Sequence, residues 1–148
     1  MTREILFRGK RLENGEWVYG AYHKHDTVKV CIAGDDPKTK HIIIADGFCD
    51  WGFEPPLMGY HVDPSTVGQY TGLTANGKKI FEGDIVKFTR FNALGYATRR
   101  TGVVRYYEKL PVFYIEATTG DAWDWCDCDA IEVIGNIHDN RELLEGEG

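Results

Sequence analysis

Short runs of β-branched and aromatic residues, separated by glycine-containing turns, constrain this chain more than any other feature of its sequence. The run Ile42-Ile43-Ile44 is β-branched throughout, which favours a strand over a helix. The pairs Asn14-Gly15 and Asn76-Gly77 have the composition of tight hairpin turns, because both residue types tolerate a positive φ. The pattern therefore predicts a mostly β protein built from antiparallel hairpins.

The N-terminal part, residues 1–64, is predicted to be a β-hairpin lobe. Its expected strands are Ile5–Arg8, Glu16–Tyr22, Val28–Ala33 and His41–Ala45. The region Asp46–Pro64 that follows is rich in glycine and proline and is expected to be irregular. We therefore place the boundary between two lobes there, within one folding unit.

The C-terminal part, residues 65–148, has a more regular rhythm of short strands. Its expected strands are Ile85–Thr89, Gly102–Tyr107, Val112–Ala117 and Ile131–Ile137. This number and spacing of strands predicts a small barrel or sandwich, and the sequence is similar to SH3-like barrels. A short helical turn is expected at the end of the chain, with Asp139 or Asn140 at its N-cap.

Charge and cysteine usage limit the classes of protein to which the chain can belong. A net charge of −6 over 148 residues argues against broad binding to phosphate backbones. The start of the sequence lacks the apolar core of a signal peptide, so we expect a cytoplasmic protein without a membrane segment. Its four cysteines are then expected to be reduced thiols.

Six stretches, in the same order along the chain, closely resemble the pattern of the YopX family of bacteriophage and prophage proteins. They are Arg3–Arg8, Asn14–Gly20, Thr66–Leu73, Asn76–Lys78, Ile80–Val86 and Val133–Ile137. The resemblance implies a phage or prophage origin and a β-rich fold with an SH3-like barrel. It brings no catalytic residues with it, and the run Asp121–Asp129 lies outside the family pattern.

The polar residues within Thr66–Val86 are interpreted as architecture. Glu82 and Asp84 are two carboxylates beside a glycine turn, where such groups most often accept backbone N–H bonds and fix the turn. No nucleophile or histidine accompanies them, and the sequence has no phosphate-binding loop, dinucleotide fingerprint or nucleophile elbow. We therefore expect neither an enzyme nor a cofactor.

Two clusters have ligand types that zinc prefers, but neither has the spacing of a zinc site. Cys126 and Cys128 are one residue apart, whereas structural zinc ligands are paired across two to four residues. His23 and His25 share a strand face and are more typical of surface histidines. We predict no metal site, and we expect the thiols to be buried as small apolar groups.

Exposed aromatic residues are the best candidates for a binding surface. The candidates are Trp51, Phe53, Trp123 and Trp125, and the two last stand among four aspartates. For Trp123 and Trp125 the favoured interpretation is that both indoles pack over the open end of the barrel, with the aspartates facing water. The alternative is a binding surface, because aromatic side chains framed by charge are common in protein interfaces. The chain is therefore interpreted as a non-enzymatic protein-binding or self-assembling module, whose partner is a host or phage protein or a second copy.

The alternative is a small β-barrel protein that binds single-stranded nucleic acid. It requires a local basic strip against the acidic balance of the whole chain. The candidates for that strip are Lys87, Arg90, Arg99, Arg100 and Arg105. A continuous positive surface and binding that weakens steeply with salt would support this alternative.

Overall fold

The structure, a computed structural model, describes residues 1–27 and 38–145, and this part of the chain contains strands and 3-10 turns but no α-helix. The strands are β1 Phe7–Lys10, β2 Trp17–Thr27, β3 Lys38–Asp46, β4 Leu57–His61, β5 Gly68–Ala75, β6 Lys78–Phe81, β7 Asp84–Phe91, β8 Ala97–Tyr107, β9 Val112–Ala117, β10 Ala122–Trp123 and β11 Asp129–Asn136. The 3-10 turns are Pro64–Thr66, Trp125–Asp127 and Arg141–Leu144. The prediction of a mostly β protein is confirmed. The chain divides into two compact units, Met1–Gln69 (unit 1) and Tyr70–Gly148 (unit 2).

Unit 1 is an antiparallel sheet in the order β4-β3-β2-β1, and the first residues of β5 pair with β1. The predicted hairpin of β1 and β2 is confirmed, with Phe7 opposite Gly20. Its turn is longer than a two-residue turn, since the Arg11 N–H donates to the Glu16 carbonyl at 2.9 Å. Only Gly15 has a positive φ there, +71°, whereas the Asn14 side chain accepts the Glu16 N–H.

Part of the region that was predicted to be irregular is a strand. β4, Leu57–His61, pairs with β3, and Ile43 of β3 is fully buried opposite Tyr60. This strand was not predicted because β4 has a glycine at its centre and follows two prolines, and both residue types are uncommon within strands. The strand predicted within β3 is confirmed, while Val28–Ala33 lies outside the described residues.

Unit 2 contains a five-stranded antiparallel sheet in the order β10-β9-β8-β7-β11. The predicted strands of this unit are confirmed, and β7 and β8 extend several residues further than expected. The buried apolar cluster of this unit consists of Ala75, Ile80, Val86, Phe88, Val104, Ile115, Ala117 and Cys128. The hairpin of β5 and β6 is also confirmed, with both turn residues at positive φ, +50° at Asn76 and +76° at Gly77.

The closed SH3-like barrel is not seen in this sheet. β10 and β11 stand at opposite edges of the strand order, and the structure gives no pairing between the described residues of these two strands. The short turn at the C-terminus is confirmed, as a 3-10 turn that starts after Asn140. The Asn140 side chain does not cap this turn, and instead accepts the Asn136 N–H at 3.3 Å.

The signature residues of unit 2 hold a turn between β6 and β7. The Phe81 N–H donates to Oδ2 of Asp84 at 2.8 Å, and Asp84 is almost completely buried. Gly83, with φ +85°, donates its N–H to the Val104 carbonyl at 2.9 Å. The turn-fixing role predicted for the carboxylate is therefore confirmed for Asp84.

Candidate functional site

A groove of about 370 Å³ lies on unit 2 between the tip of the β8–β9 hairpin and the segment that contains β10 and the following 3-10 turn. We call it the acidic groove. Its lining residues are Tyr107, Leu110, Val112, Tyr114, Ala122, Trp123, Asp124 and Asp127. Its volume is at the lower end of the range for ligand sites in proteins.

The wall of the groove on the hairpin side comes from the outer face of β8 and β9. Tyr107 pairs with Val112, and Arg105 pairs with Tyr114. The two pairs are two residues apart along the strands, so all four side chains lie on one face of the sheet. The rings of Tyr107 and Tyr114 meet edge to face, with centroids 6.3 Å apart. Leu110, at the hairpin tip, is 61% exposed. This wall is therefore aromatic and apolar, yet open to solvent.

The opposite wall depends on the 3-10 turn Trp125–Asp127. The indole N–H of Trp125 donates to the Phe113 carbonyl at 2.9 Å, which ties the turn to β9. The Asp127 N–H donates to the Asp124 carbonyl at 3.1 Å. Asp124 precedes this turn as its extended N-cap residue and Asp127 ends it, and both residues line the groove.

The carboxylates of Asp124 and Asp127 differ from other carboxylates on this unit. Both are exposed, and neither forms an ion pair or a side-chain hydrogen bond with another described residue. In contrast, Glu116 is 3.0 Å from Arg105, and Asp121 is 3.4 Å from Arg100. The groove therefore presents two carboxylates without a direct ion-pair partner among the described residues, next to an apolar wall.

The four aromatic candidates fall into two places. Trp51 and Phe53 are in the loop between β3 and β4 of unit 1, where they are 93% and 74% exposed. Trp123 and Trp125 are half-buried and pack against the apolar cluster of unit 2. Of these four, Trp123 lines the acidic groove, and Trp125 holds the turn that forms one side of it.

Sequence reasoning missed the hairpin wall of the groove. Tyr107, Leu110, Val112 and Tyr114 were assigned only to predicted strands and their connection. The available signal was the period of two in β9, where Val112 and Tyr114 alternate with residues that face the core. Single exposed apolar residues are common on protein surfaces, but several that are adjacent on one outer face form a patch that can contact another molecule.

The arginines of the predicted basic strip are largely engaged with neighbouring side chains. Arg99 is 2.8 Å from Glu132, and Arg100 and Arg105 have the carboxylate partners described above. The guanidinium of Arg90 lies over the Trp123 ring, 3.5 Å from its centroid. Lys87 is half-buried and opposite Glu132 in β11. Three of the five candidate cations are therefore neutralised locally.

A second cleft, of about 450 Å³, is on unit 1 and has a different character. Its lining residues are Arg11, Leu12, Glu13, Met58, Gly59, Tyr60 and His61. The guanidinium of Arg11 lies over the Tyr60 ring and is 2.8 Å from the Glu13 carboxylate. The charge in this cleft is thus already compensated within the chain, unlike that in the acidic groove.

The two cysteines beside the groove, Cys126 and Cys128, are in different environments. Cys128 is buried, as predicted for both thiols, but the prediction is wrong for Cys126, which is exposed. The residues that the structure describes contain no cluster of three or more His, Cys, Asp or Glu side chains able to hold a metal ion. Burial raises the pKa of the Cys128 thiol from 9.0 to about 11, and the Asp127 carboxylate adds to this effect.

The raised pKa of Cys128 predicts a measurable pH dependence of stability. Above pH 9 the thiol ionises in the unfolded chain but stays protonated in the folded one, so its contribution to the free energy of unfolding is lost as the pH rises towards 11. Between pH 8 and pH 10 this loss should be about 1 kcal/mol. Urea denaturation of wild type and Cys128→Ala at both pH values measures this loss. The difference in free energy of unfolding between the two proteins should become smaller at pH 10. A difference that does not change with pH would contradict the raised pKa of Cys128.

The fold places the chain in the class of all-β proteins with antiparallel sheets. A family model described as YopX protein matches residues 6–145, which is nearly the whole chain. The chain therefore belongs to the YopX family, as the sequence motifs indicated. No curated protein and no solved structure matches it. The described part of the chain includes no helix whose length and hydropathy would allow it to cross a membrane.

Proposed function

We propose that this protein is a non-enzymatic binding module of phage or prophage origin that recognises a protein partner through the acidic groove. The observation that carries the proposal is the combination of solvent-open aromatic and apolar side chains with carboxylates that lack partners among the described residues. Aromatic anchors that stay exposed in the free protein can bury a large area at little cost in conformational entropy.

The strand order of unit 2 supports a finer assignment of this fold as an SH3-like barrel. Four consecutive strands form a meander, a 3-10 turn follows, and the fifth strand, β11, returns to pair with the first, β7. Small barrels place binding residues on the loops and strands at one end. The acidic groove is at such a place, between a hairpin tip and the 3-10 turn.

The proposed partner is a protein of the phage or of its bacterial host, met in the cytoplasm, or a second copy of the chain. Trp51 and Phe53 of unit 1 form a separate exposed aromatic surface that is proposed to add contacts to a partner. Nucleic-acid binding is less well supported, because carboxylates neutralise the three arginines of β8 that would contact phosphates.

Affinity capture with matched variants tests the proposal. The bait is the full chain in extracts of phage-producing cells, and a captured protein is purified so that its dissociation constant can be measured. The double variant Leu110→Ser, Val112→Ser removes exposed apolar side chains from the groove, and it should weaken binding roughly 10-fold or more. Leu94→Ser is the matched control, because Leu94 is an exposed leucine of the same unit that does not line the groove.

Three outcomes would overturn this assignment. The groove variant could bind as tightly as wild type, or the Leu94 control could lose as much affinity as the groove variant. Binding could also depend on Trp51→Ser and Phe53→Ser alone, which would move the function to unit 1. Light scattering of the same variants distinguishes a second copy of the chain from a different partner.

A further inference from the structure

We infer that the acidic groove is selective for an extended, cationic segment of the partner, in which an arginine or lysine side chain pairs with Asp124 and Asp127 while apolar neighbours pack on the hairpin wall. This inference rests on the proposed function and specifies the chemistry of the ligand. It follows from two properties of the groove, its charge and its apolar wall.

The charge of the groove is the first property. Three carboxylates of the same sheet or its loops, Glu116, Asp121 and Glu132, are each within ion-pair distance of an arginine of β8. Asp124 and Asp127 have no such partner among the described residues, although both line the groove at the two ends of one 3-10 turn. Two carboxylates in one groove suit the guanidinium of arginine, whose several N–H donors can bond more than one acceptor.

The local field agrees with this assignment. Burial is the main cause of the raised pKa of the Cys128 thiol, Asp127 and then Asp129 and Asp124 raise it further, and Arg90 lowers it. Arg90 is held over the Trp123 ring. The negative potential around the turn is therefore only partly offset, and an incoming cation would be attracted to it.

The shape of the groove favours an extended chain. Tyr107 is exposed and Tyr114 is half-buried beside it, and the exposed Val112 and Leu110 continue the apolar surface to the hairpin tip. Extended segments of the polyproline II type fit aromatic grooves of this kind, because their conformation is already ordered and their backbone stays solvated. A groove of about 370 Å³ admits a few side chains of such a segment rather than a folded domain.

A metal ion is a poorer match than a peptide cation. Calcium requires six to eight oxygen ligands, and the described residues hold no cluster of acidic groups large enough for a metal ion. The apolar wall would also contribute nothing to a bare cation. A cationic side chain flanked by apolar residues can pair with the carboxylates of one wall while its neighbours pack on the apolar wall.

Selection from a random dodecapeptide library displayed on phage tests the inference with the intact protein. Peptides selected on wild type should be enriched in arginine or lysine next to apolar or proline residues. The double variant Asp124→Asn, Asp127→Asn should bind the selected peptides roughly 5- to 10-fold more weakly, as expected for two partly solvated ion pairs. Asp129→Asn is the control for the long-range field, since Asp129 adds to the negative potential but does not line the groove, and it should weaken binding less than about 2-fold.

The readouts separate this inference from the proposed function. Selected peptides without an excess of basic residues, or equal binding to wild type and to the Asp124, Asp127 double variant, would overturn the cationic assignment. If such neutral peptides still lost affinity in the Leu110→Ser, Val112→Ser variant, the groove would remain a binding site with a different ligand. Peptides that are insensitive to both double variants would refute the groove as a site altogether.

Discussion

Replacing Phe88 by alanine should lower the free energy of unfolding by about 3–5 kcal/mol, the largest effect that we expect from a single substitution in this chain. Phe88 is 0% exposed in β7 and belongs to the apolar cluster of unit 2. Removal of its ring leaves a cavity that Val104 and Ile115, which are themselves fully buried, cannot fill without strain. Urea denaturation followed by tryptophan fluorescence measures the loss.

Phe91 supplies a matched control in the same strand. It is 53% exposed, so Phe91→Ala should cost about 1 kcal/mol or less. Equally small losses for the two variants would show that Phe88 is not packed in the apolar cluster. The comparison therefore tests the burial of Phe88 in this cluster.

Replacing Asp84 by alanine should cost about 2–3 kcal/mol, because the buried Phe81 N–H loses the carboxylate that accepts its hydrogen bond. Asp84→Asn retains an oxygen acceptor at the same place and should cost clearly less. Thermal and urea denaturation of both variants measure the difference.

This pair of variants also tests the interpretation of the family signature as architecture. If Asp84→Ala left stability unchanged but abolished partner binding, the carboxylate would be part of a binding site instead. If Asp84→Asn were as destabilising as Asp84→Ala, the carboxylate charge rather than the acceptor would hold the turn. Our account predicts a loss of stability, with binding unaffected wherever the variant is folded.

Local patterns were sufficient to predict much of the fold. The β-branched run of β3, the alternation in β7 and β9, and the Asn76-Gly77 turn are all encoded by residues next to each other in the chain. β4 was missed because its glycine and the preceding prolines hide a strand that is stabilised by pairing with β3. The longer turn at Asn14-Gly15 was missed because the composition of the pair predicts a positive φ at both residues. Asn14 does not have a positive φ, and its side chain accepts the Glu16 N–H.

The site was harder to predict because it depends on pairing between distant residues. The run around Trp123 was recognised from its composition, and it does contribute one wall of the groove. The other wall, with Tyr107 and Tyr114, became visible only when the β8–β9 register placed the two rings on the outer face. The ion pairs of Arg99, Arg100 and Arg105 likewise join residues 11 to 33 positions apart in sequence, and no local pattern shows such pairs.

The most direct test of the account is a map of the bound surface. Amide chemical shifts of the ¹⁵N-labelled protein would be recorded with and without a partner protein obtained by capture, or a selected peptide. The account predicts that the largest changes occur in two segments, residues 107–114 and 122–127. Largest changes in the Trp51–Phe53 loop, or along Arg99 and Arg100, would contradict the assignment of the acidic groove as the binding site.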